Sequence, residues 1–253
     1  MTRAPVDTIV APLFPTRGEW VNARAPQSPL RRGRPMLVEF WDFCRPNSMR
    51  TLPYVKAWHE RYADAGLRVI GVHCPGFEPS RPPDAVRDAV ARLGIRHPVL
   101  IDSELEVWRD YDNAGWPARY LFDGGARLVH YQYGEGAYEE TELAIGELLG
   151  LDVQPLAPLR AEDAAGARLV AHSEEFAGAY CGPYEAGAVW AVLDGSGAVD
   201  VALDARAERL RIDVTHPGAY ALIEHERHTA GAIEVTPGAG VRCHATCFLP
   251  GLA

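Results

Sequence analysis

Three short, continuously apolar segments recur in the first half of this 253-residue chain. They are PMLVEFWDF (35–43), LRVIGVHC (67–74) and HPVLID (97–102). Segments of this length without polar alternation are typical of strands that are buried on both faces of a sheet. A chain with three such strands must cover both faces with other elements, and this requirement restricts the fold more than any other feature of the sequence.

Helical patterns separate these strands and supply the covering layers. Residues 48–65 space apolar side chains at helical intervals, and residues 82–94 begin with proline and end with glycine. A short helix over 103–111, a hairpin around Gly124-Gly125 and a closing helix over 137–150 complete the pattern. Strands that alternate with helices in this way predict an α/β domain with helices on both faces of its sheet.

The pattern changes after residue 150. Residues 151–167 are rich in proline and alanine and are predicted to form a linker. From 168 to 253, short segments of alternating apolar and polar residues follow one another, separated by Gly, Pro or Asp. This arrangement predicts an all-β sandwich, jelly-roll-like domain. Two domains are therefore expected, and the first, over 36–150, is preceded by an irregular Pro- and Arg-rich lead-in over 1–35.

Charge and hydropathy exclude several classes of function. The formal net charge of −9 argues against a nucleic-acid-binding surface. No segment approaches the roughly 20 apolar residues of a membrane-spanning helix, and the N-terminus lacks the apolar stretch of a signal peptide. We therefore expect a cytoplasmic protein without a membrane span. The five cysteines, an odd number spread over the chain, are expected to be reduced thiols.

Several separated motifs in the first half resemble one protein family. Phe40-Trp41 and RTLPY (50–54) frame the segment after the first buried strand, GVHCPGF (71–77) ends the second, and WPARYLFD (116–123) begins the hairpin. Together with GEWVN (18–22) they are similar to the thioredoxin-like domains of the redoxin superfamily, the alkyl hydroperoxide reductase and thiol-specific antioxidant grouping. Within it, the TlpA/DipZ type is the most similar. The second half resembles the carbohydrate-binding-module-like β-sandwich of some DipZ-type proteins.

This resemblance implies a thioredoxin-like fold, with a redox motif between a central strand and the helix that follows it. It also implies that Pro117 is in the cis conformation and faces that motif. The spacing between the flanking motifs equals that of the family, and without a gap the two family cysteines fall on Arg45 and Ser48. The Cys-x-x-Cys is therefore absent, and Cys44 lies one residue before the position of the first family cysteine.

Three interpretations of Cys44 stay open. It is a silent structural residue, or it performs thiol chemistry alone, or it pairs with Cys74 at the end of the next strand, since parallel strands end at the same edge of a sheet. The start of the following helix and the adjacent Arg45 favour the thiolate, whereas burial opposes it. Asn47 and Ser48 offer only hydrogen bonds. A lone Cys44 would therefore form a mixed disulfide with a thiol, or a sulfenic acid with peroxide.

Three further side chains are candidates near this segment. By the resemblance, Glu39 occupies the place where thioredoxins carry a buried acid, and a buried carboxyl with a raised pKa can exchange protons with a thiol. The alternative for Glu39 is a strand residue with only structural hydrogen bonds. His73 is either a base or a hydrogen-bonded core histidine. Trp116 either walls the site beside Pro117 or packs in the core.

The second half contains residues of zinc-binding type with unsuitable spacing. They are His225, His228, Cys243, His244 and Cys247. The two cysteines on one predicted strand would lie about 13 Å apart, and the first two histidines are interpreted as a hairpin turn. No metal and no cofactor are therefore predicted. Candidates for a carbohydrate platform are Tyr180, Tyr184 and Trp190, with the core of the sandwich as their alternative location.

The sequence thus predicts a thioredoxin-like thiol–disulfide oxidoreductase or antioxidant-type protein with an altered site centred on Cys44. Its expected partners are protein thiols and disulfides, small thiols and peroxides. The alternative is a non-catalytic binding protein, in which the groove around Arg45, Ser48 and Pro117 holds a peptide or other ligand and the sandwich holds a carbohydrate or another partner. A homodimer is a further expectation.

Overall fold

The computed structural model describes residues 9–15, 17–23, 33–171, 173–204 and 209–253. Parts of the predicted lead-in, residues 1–8, 16 and 24–32, therefore lie outside the described residues. The chain divides into two compact units. The first runs up to Asp42 and continues over Asn47–Ala157, and the second consists of Phe43–Pro46 and Pro158–Ala253. The later boundary falls inside the predicted linker.

The first unit has the predicted alternation of strands and helices. In chain order its elements are β1 (Glu19–Val21), β2 (Met36–Trp41), α1 (Pro46–Tyr62), β3 (Arg68–His73), α2 (Pro83–Arg92), β4 (Val99–Ile101), α3 (Glu106–Asp110), β5 (Ala118–Phe122), β6 (Leu128–Tyr133) and α4 (Tyr138–Leu149). None of the helices in the described part of the chain is long and apolar enough to cross a membrane.

These strands form one mixed sheet in the order β1-β4-β3-β2-β5-β6. The three predicted buried strands, β2, β3 and β4, lie side by side in parallel, and β5 joins β2 in antiparallel orientation. Every residue of β2 is buried, as expected for a central strand that is covered on both faces. The α/β thioredoxin-like prediction for this part of the chain is confirmed.

Alternate residues of β2 supply two separate hydrophobic cores. Val38 and Phe40 belong to a core on one face of the sheet, together with Tyr120 of β5. Leu37 belongs to the core on the other face, where it packs with Trp58 of α1. This two-sided burial follows from the period of two along a strand. The two cores hold β2 in place up to its C-terminal end, where the chain leaves the sheet toward α1.

Helix α3 begins later than the sequence predicts. The expected helix over 103–111 with a Ser103 cap is instead Glu106–Asp110. The carboxylate of Asp102 accepts hydrogen bonds from the backbone N–H groups of Glu106, Val107 and Trp108, at 2.8, 3.2 and 2.8 Å. Because Asp102 satisfies the free donors of the first turn, it takes the role that the sequence pattern assigned to Ser103.

The second unit is built of antiparallel strands. They are β7 (Leu169–Val170), β8 (Glu174–Ala177), β9 (Cys181–Gly195), β10 (Gly197–Leu203), β11 (Arg209–Val214), β12 (Gly218–Pro237), β13 (Val241–Leu249) and β14 (Gly251–Leu252). Six of them form one sheet in the order β11-β10-β12-β9-β13-β8, and β14 pairs with β7. The all-β prediction is confirmed, while the two-layer sandwich stays a prediction.

One predicted turn in this unit is wrong. The segment around His225 and His228, expected to be a hairpin turn, lies within the single 20-residue strand β12. Its pairing with β9 continues on both sides of a register shift between Glu224 and Thr229. Extra unpaired residues in one strand bend it without reversing it, so the polar residues that suggested a turn instead occupy an irregularity within a long strand.

Candidate active site

Asp42 anchors the chain at the end of β2. One oxygen of its buried carboxylate accepts a hydrogen bond from the Gly76 backbone N–H (2.8 Å), and the other lies 3.5 Å from Nε2 of His73. Its own backbone N–H donates to the hydroxyl of Ser48 (3.2 Å). Asp42 and Ser48 thereby tie together the two ends of the segment that carries Cys44. Asp42 was not among the sequence candidates, although a charged residue at the end of an apolar strand is itself a signal.

Cys44 lies between β2 and α1, two residues before the helix begins at Pro46. Its side chain is fully buried, and its thiol forms no disulfide. Residues 43–46 belong to the second unit. Within that unit the carbonyl of Phe43 accepts a hydrogen bond from Ala219 N–H (3.0 Å), and Arg45 forms an ion pair with Glu175 (2.6 Å). Arg45, proposed as a groove residue, thus has a carboxylate partner.

The other two proposed groove residues of this segment differ in exposure. The side chain of Ser48 is fully buried, and its hydroxyl accepts the hydrogen bond from Asp42 described above. Asn47 is half-buried, and its Oδ1 has no hydrogen-bond partner among the described residues. Of the two, only Asn47 retains an unused polar atom.

Cys74 follows β3, and its side chain is fully buried. Its Sγ–H donates to Oδ2 of Asp102 (3.4 Å), the same carboxylate that caps α3. Burial raises the pKa of the Cys74 thiol well above its usual range, and the nearby Asp102 carboxylate adds to the rise. A thiol held in its protonated form is a poor nucleophile and a hydrogen-bond donor to Asp102.

Trp116 and Pro117 lie beside Cys74 in the first unit. The Trp116–Pro117 peptide bond is cis. The indole N–H of Trp116 donates to the carbonyl of Cys74 (2.9 Å), and its ring packs at 4.3 Å from the ring of Trp108. The carbonyl of Pro117 accepts a hydrogen bond from Gly134 N–H (2.8 Å). Trp116 therefore both packs in the aromatic core and fixes the backbone that follows β3.

Glu39 is a fully buried acid in the middle of β2. Burial raises its pKa to about 8, and the positive charge of Arg119 opposes part of that rise. Arg119 lies directly opposite Glu39 in the β2–β5 pair and is also fully buried. Neither carboxyl oxygen of Glu39 accepts a hydrogen bond from the described residues. Glu39 is therefore an acid that stays largely protonated at neutral pH.

Arg119 was not among the sequence candidates. Its guanidinium lies 4.9 Å from the ring centroid of Tyr138 and 5.7 Å from that of Trp58, and it also donates to the carbonyl of Gly136. Cation–π contacts of this kind stabilise a buried guanidinium. Its position directly after Ala118 in the WPARYLFD motif marked it as a strand residue, but no pattern indicated that this charge faces Glu39.

His73 is fully buried at the end of β3. Its ring packs edge-on against Trp41 with centroids 5.1 Å apart, and its Nε2 faces the Asp42 carboxylate. This environment is that of a core histidine beside an acid. It offers no exposed ring nitrogen for a base.

The zinc-type residues of the second unit have other partners. His225 lies 2.9 Å from the hydroxyl of Tyr184, His244 pairs with Asp194 at 3.0 Å, and the Cys243 thiol donates to the Ala245 carbonyl (3.4 Å). Across the described part of the chain, no three His, Cys, Asp or Glu side chains converge as a metal site would require. Burial also raises the pKa of Cys247 to about 12.

The carbohydrate candidates are divided between core and surface. Tyr184 is buried and stacks on Phe248 with centroids 5.8 Å apart. Tyr180 is half-buried and packs 4.7 Å from Phe176, which is 37% exposed. Trp190 is half-buried in β9. These rings show a core that reaches the surface at Phe176, and the carbohydrate interpretation stays a prediction.

The DipZ proteins of Mycobacterium bovis and Mycobacterium tuberculosis are each 39% identical to this chain over 124 residues. The matched region is 49% of this chain and 18% of DipZ. The chain therefore spans less than a fifth of the length of DipZ. Thiol-disulfide oxidoreductase YkuV of Bacillus subtilis is 27% identical over 130 residues, covering 51% of this chain and 87% of YkuV. No family model matches the chain.

The fold comparison agrees with these relatives. The solution structure of a thioredoxin-like protein in its oxidized form superposes with a TM-score of 0.50 and 26% identity, over 56% of this chain and 96% of that protein. The coverage corresponds in extent to the N-terminal part of the chain, whose sheet order has been described above. The first unit is therefore thioredoxin-like and similar in sequence to DipZ and YkuV, while Arg45 and Ser48 stand where the resemblance places the two cysteines of a Cys-x-x-Cys.

Proposed function

We propose that the chain is a thiol–disulfide oxidoreductase that works with a single reacting thiol, Cys44. The observation that carries the proposal is the position of Cys44, which forms no disulfide, at the junction of β2 and the 17-residue helix α1. The family resemblance places the redox motif at this junction, and the N-terminal end of a helix favours a thiolate. Cys74, the other candidate sulfur, has a raised pKa and donates to Asp102, which favours chemistry at Cys44 alone.

The reaction proceeds in two exchange steps. The Cys44 thiolate attacks one sulfur of a substrate disulfide, so that the substrate S–S bond breaks, a mixed disulfide with Cys44 forms, and one substrate thiolate leaves. A thiolate from a second molecule then attacks the mixed disulfide and regenerates Cys44. The second thiol comes from outside because Ser48 stands where the family has its resolving cysteine.

Burial sets the rate of this chemistry. Because Cys44 is fully buried, a substrate reaches it only when the segment 43–46 opens locally, and the observed rate depends on the population of the open form. Glu39 has a pKa of about 8, close to the ordinary pKa of a thiol. We propose that Glu39, which lies on the strand that leads to Cys44, exchanges protons during the thiol chemistry.

Replacement of Cys44 tests this function. We expect Cys44→Ser to lower the rate of insulin reduction, or of exchange with oxidised glutathione, by about 100-fold or more, because no other thiol takes over. Cys181 is exposed, so Cys181→Ser is the matched control and should retain activity. Activity that survives in Cys44→Ser would refute the role of Cys44. Inactivity of the folded wild type with disulfides and with peroxide would favour the binding-protein alternative.

Replacement of Cys74 distinguishes the single-thiol mechanism from a Cys44–Cys74 pair. We expect Cys74→Ser to change the free energy of unfolding by about 1 kcal/mol, since a hydroxyl can donate to Asp102 in place of the thiol. Its exchange rate should match that of the wild type in the same assay. A loss of activity as large as that of Cys44→Ser, in a folded variant, would show that the two sulfurs act together.

The remaining partner and location expectations are part of this proposal. Protein thiols and disulfides are the substrate class that the relatives favour, with small thiols and peroxides as further candidates. A cytoplasmic location is supported by the five cysteines, none of which forms a disulfide. Carbohydrate binding by the second unit and a homodimer stay predictions.

A further inference from the structure

A cavity of about 370 Å³ opens beside the edge strand β6 of the first unit. Its walls come from β5, β6, the end of α3 and the segment Ile9, Val10 and Pro12. Two apolar side chains at its rim, Ile9 and Val10, are 40% and 59% exposed. The volume lies within the range of small-molecule pockets, and a partly exposed apolar rim is typical of a binding site.

Four tyrosines line this cavity and form a cage. They are Tyr111, Tyr120, Tyr131 and Tyr133. Tyr131 and Tyr133 alternate along β6 and lie on the same face, while Tyr120 is the register partner of Tyr131 on β5. The rings of Tyr120 and Tyr133 are perpendicular, with centroids 5.9 Å apart, and those of Tyr131 and Tyr133 lie 5.7 Å apart at 67°.

Hydrogen bonds fix part of the cage. The hydroxyl of Tyr120 lies 2.8 Å from Oδ1 of Asn113 and 3.0 Å from the hydroxyl of Tyr133. The hydroxyl of Tyr111 donates to the carbonyl of Pro12 (3.4 Å). These bonds orient the rings before any ligand arrives, which lowers the entropic cost of binding.

The charged residues that line the cavity are all acidic. Asp110 and Asp112 line it, both are exposed, and the described lining residues include no Lys, Arg or His. Tyrosine faces carry negative electrostatic potential, and carboxylates at the rim add to it. An anionic ligand would be repelled, and a neutral one would lack the cation–π and ionic contributions.

We propose that this tyrosine cage binds a small organic cation of the alkylammonium class. The volume suits a small molecule, the rings supply cation–π contacts, and the two carboxylates supply the counter-charge. The site uses neither Cys44 nor Cys74, so its occupation and the proposed thiol chemistry are separable by experiment.

Choline is the probe that tests this site, because its uncharged isostere 3,3-dimethylbutan-1-ol has the same shape. Binding of each to the full chain is followed by saturation-transfer NMR on the methyl protons and by calorimetry. We expect choline to bind about fivefold or more tightly than the alcohol, the difference being the cation–π and ionic contribution.

Two variants locate the binding. Asp112 has a φ of 47°, a conformation that asparagine tolerates well, so Asp112→Asn removes a charge with little strain. We expect it to weaken choline about two- to fivefold. Tyr131→Leu should weaken it about fivefold, and Asp152→Asn, an exposed change elsewhere, should have no effect. Equal binding of choline and the alcohol, no binding of choline, or unchanged binding in both cage variants would overturn the proposal.

Discussion

Replacement of Glu142 by glutamine is expected to destabilise the first unit by about 3 kcal/mol. The Glu142 carboxylate is 1% exposed and holds two donors on each oxygen. Oε1 accepts from Tyr62 hydroxyl (2.6 Å) and Arg61 (2.8 Å). Oε2 accepts from the Trp58 indole (3.1 Å) and the Leu156 backbone (2.8 Å).

The chemistry of the substitution explains this magnitude. Glutamine keeps the shape but replaces one oxygen by an amide group that donates, so two of the four donors lose their acceptor. Leaving a buried donor unpaired costs about 1–3 kcal/mol. The ion pair with Arg61 contributes less, because that side chain is 39% exposed. The carboxylate therefore joins α1, α4 and the chain that follows α4 through mostly neutral donors.

Urea unfolding followed by tryptophan fluorescence measures this effect. Five of the six tryptophans report on the first unit, namely Trp20, Trp41, Trp58, Trp108 and Trp116. The matched control is Glu147→Gln, an exposed glutamate on the same helix, whose effect should stay within about 0.5 kcal/mol. Faster amide exchange of residues 151–157 in Glu142→Gln is a second expected result. Equal stability of the two variants would contradict this account of Glu142.

Glu39→Gln is expected to remove a strong pH dependence from the stability of the first unit. The folded pKa of Glu39, about 8, lies above its ordinary value of 4.5. Between these two values the folded state binds more protons than the unfolded state. The stability that protonated Glu39 contributes is therefore fully present below pH 4.5 and is lost as the pH rises through 8. Between pH 5 and pH 8 the wild type should lose about 3 kcal/mol relative to Glu39→Gln.

The comparison of the two proteins isolates this group. Burial lowers the pKa of His97 to about 3. This shift makes the stability of both proteins rise with pH up to about 6.5. Because the effect is the same in both proteins, it cancels in their difference. Urea unfolding at pH 5, 6.5 and 8 gives that difference directly. A difference between wild type and variant that stays constant over this range would show that Glu39 ionises normally in the folded state.

The part of the structure that sequence patterns predicted is the part set by local periodicity. The apolar segment 35–43 became the fully buried strand β2, and the resemblance carried by the motifs around it led to the thioredoxin-like fold. Glu39 was singled out by the same resemblance, which places a buried acid at this position. These inferences succeed because strand burial and helix spacing depend on neighbours along the chain.

The residues that were missed act across the sheet or between helices. Arg119 faces Glu39 only through the β2–β5 register, and Glu142 gathers donors from residues 80 to 84 positions away. Asp42 and Asp102 bind backbone N–H groups whose position depends on the folded chain. The turn predicted at His225 failed for a related reason, since only pairing with β9 shows that β12 continues through that segment.

The central claim is that Cys44 is the reacting thiol, and site-mapped exchange with oxidised glutathione tests it most directly. The Cys181→Ser protein, which lacks the exposed cysteine, is incubated under native conditions, digested and analysed by mass spectrometry. We predict one glutathione per chain, attached to Cys44 and released by added thiol. A Cys44 that stays unmodified in the folded protein, yet reacts once the protein is unfolded, would contradict the claim.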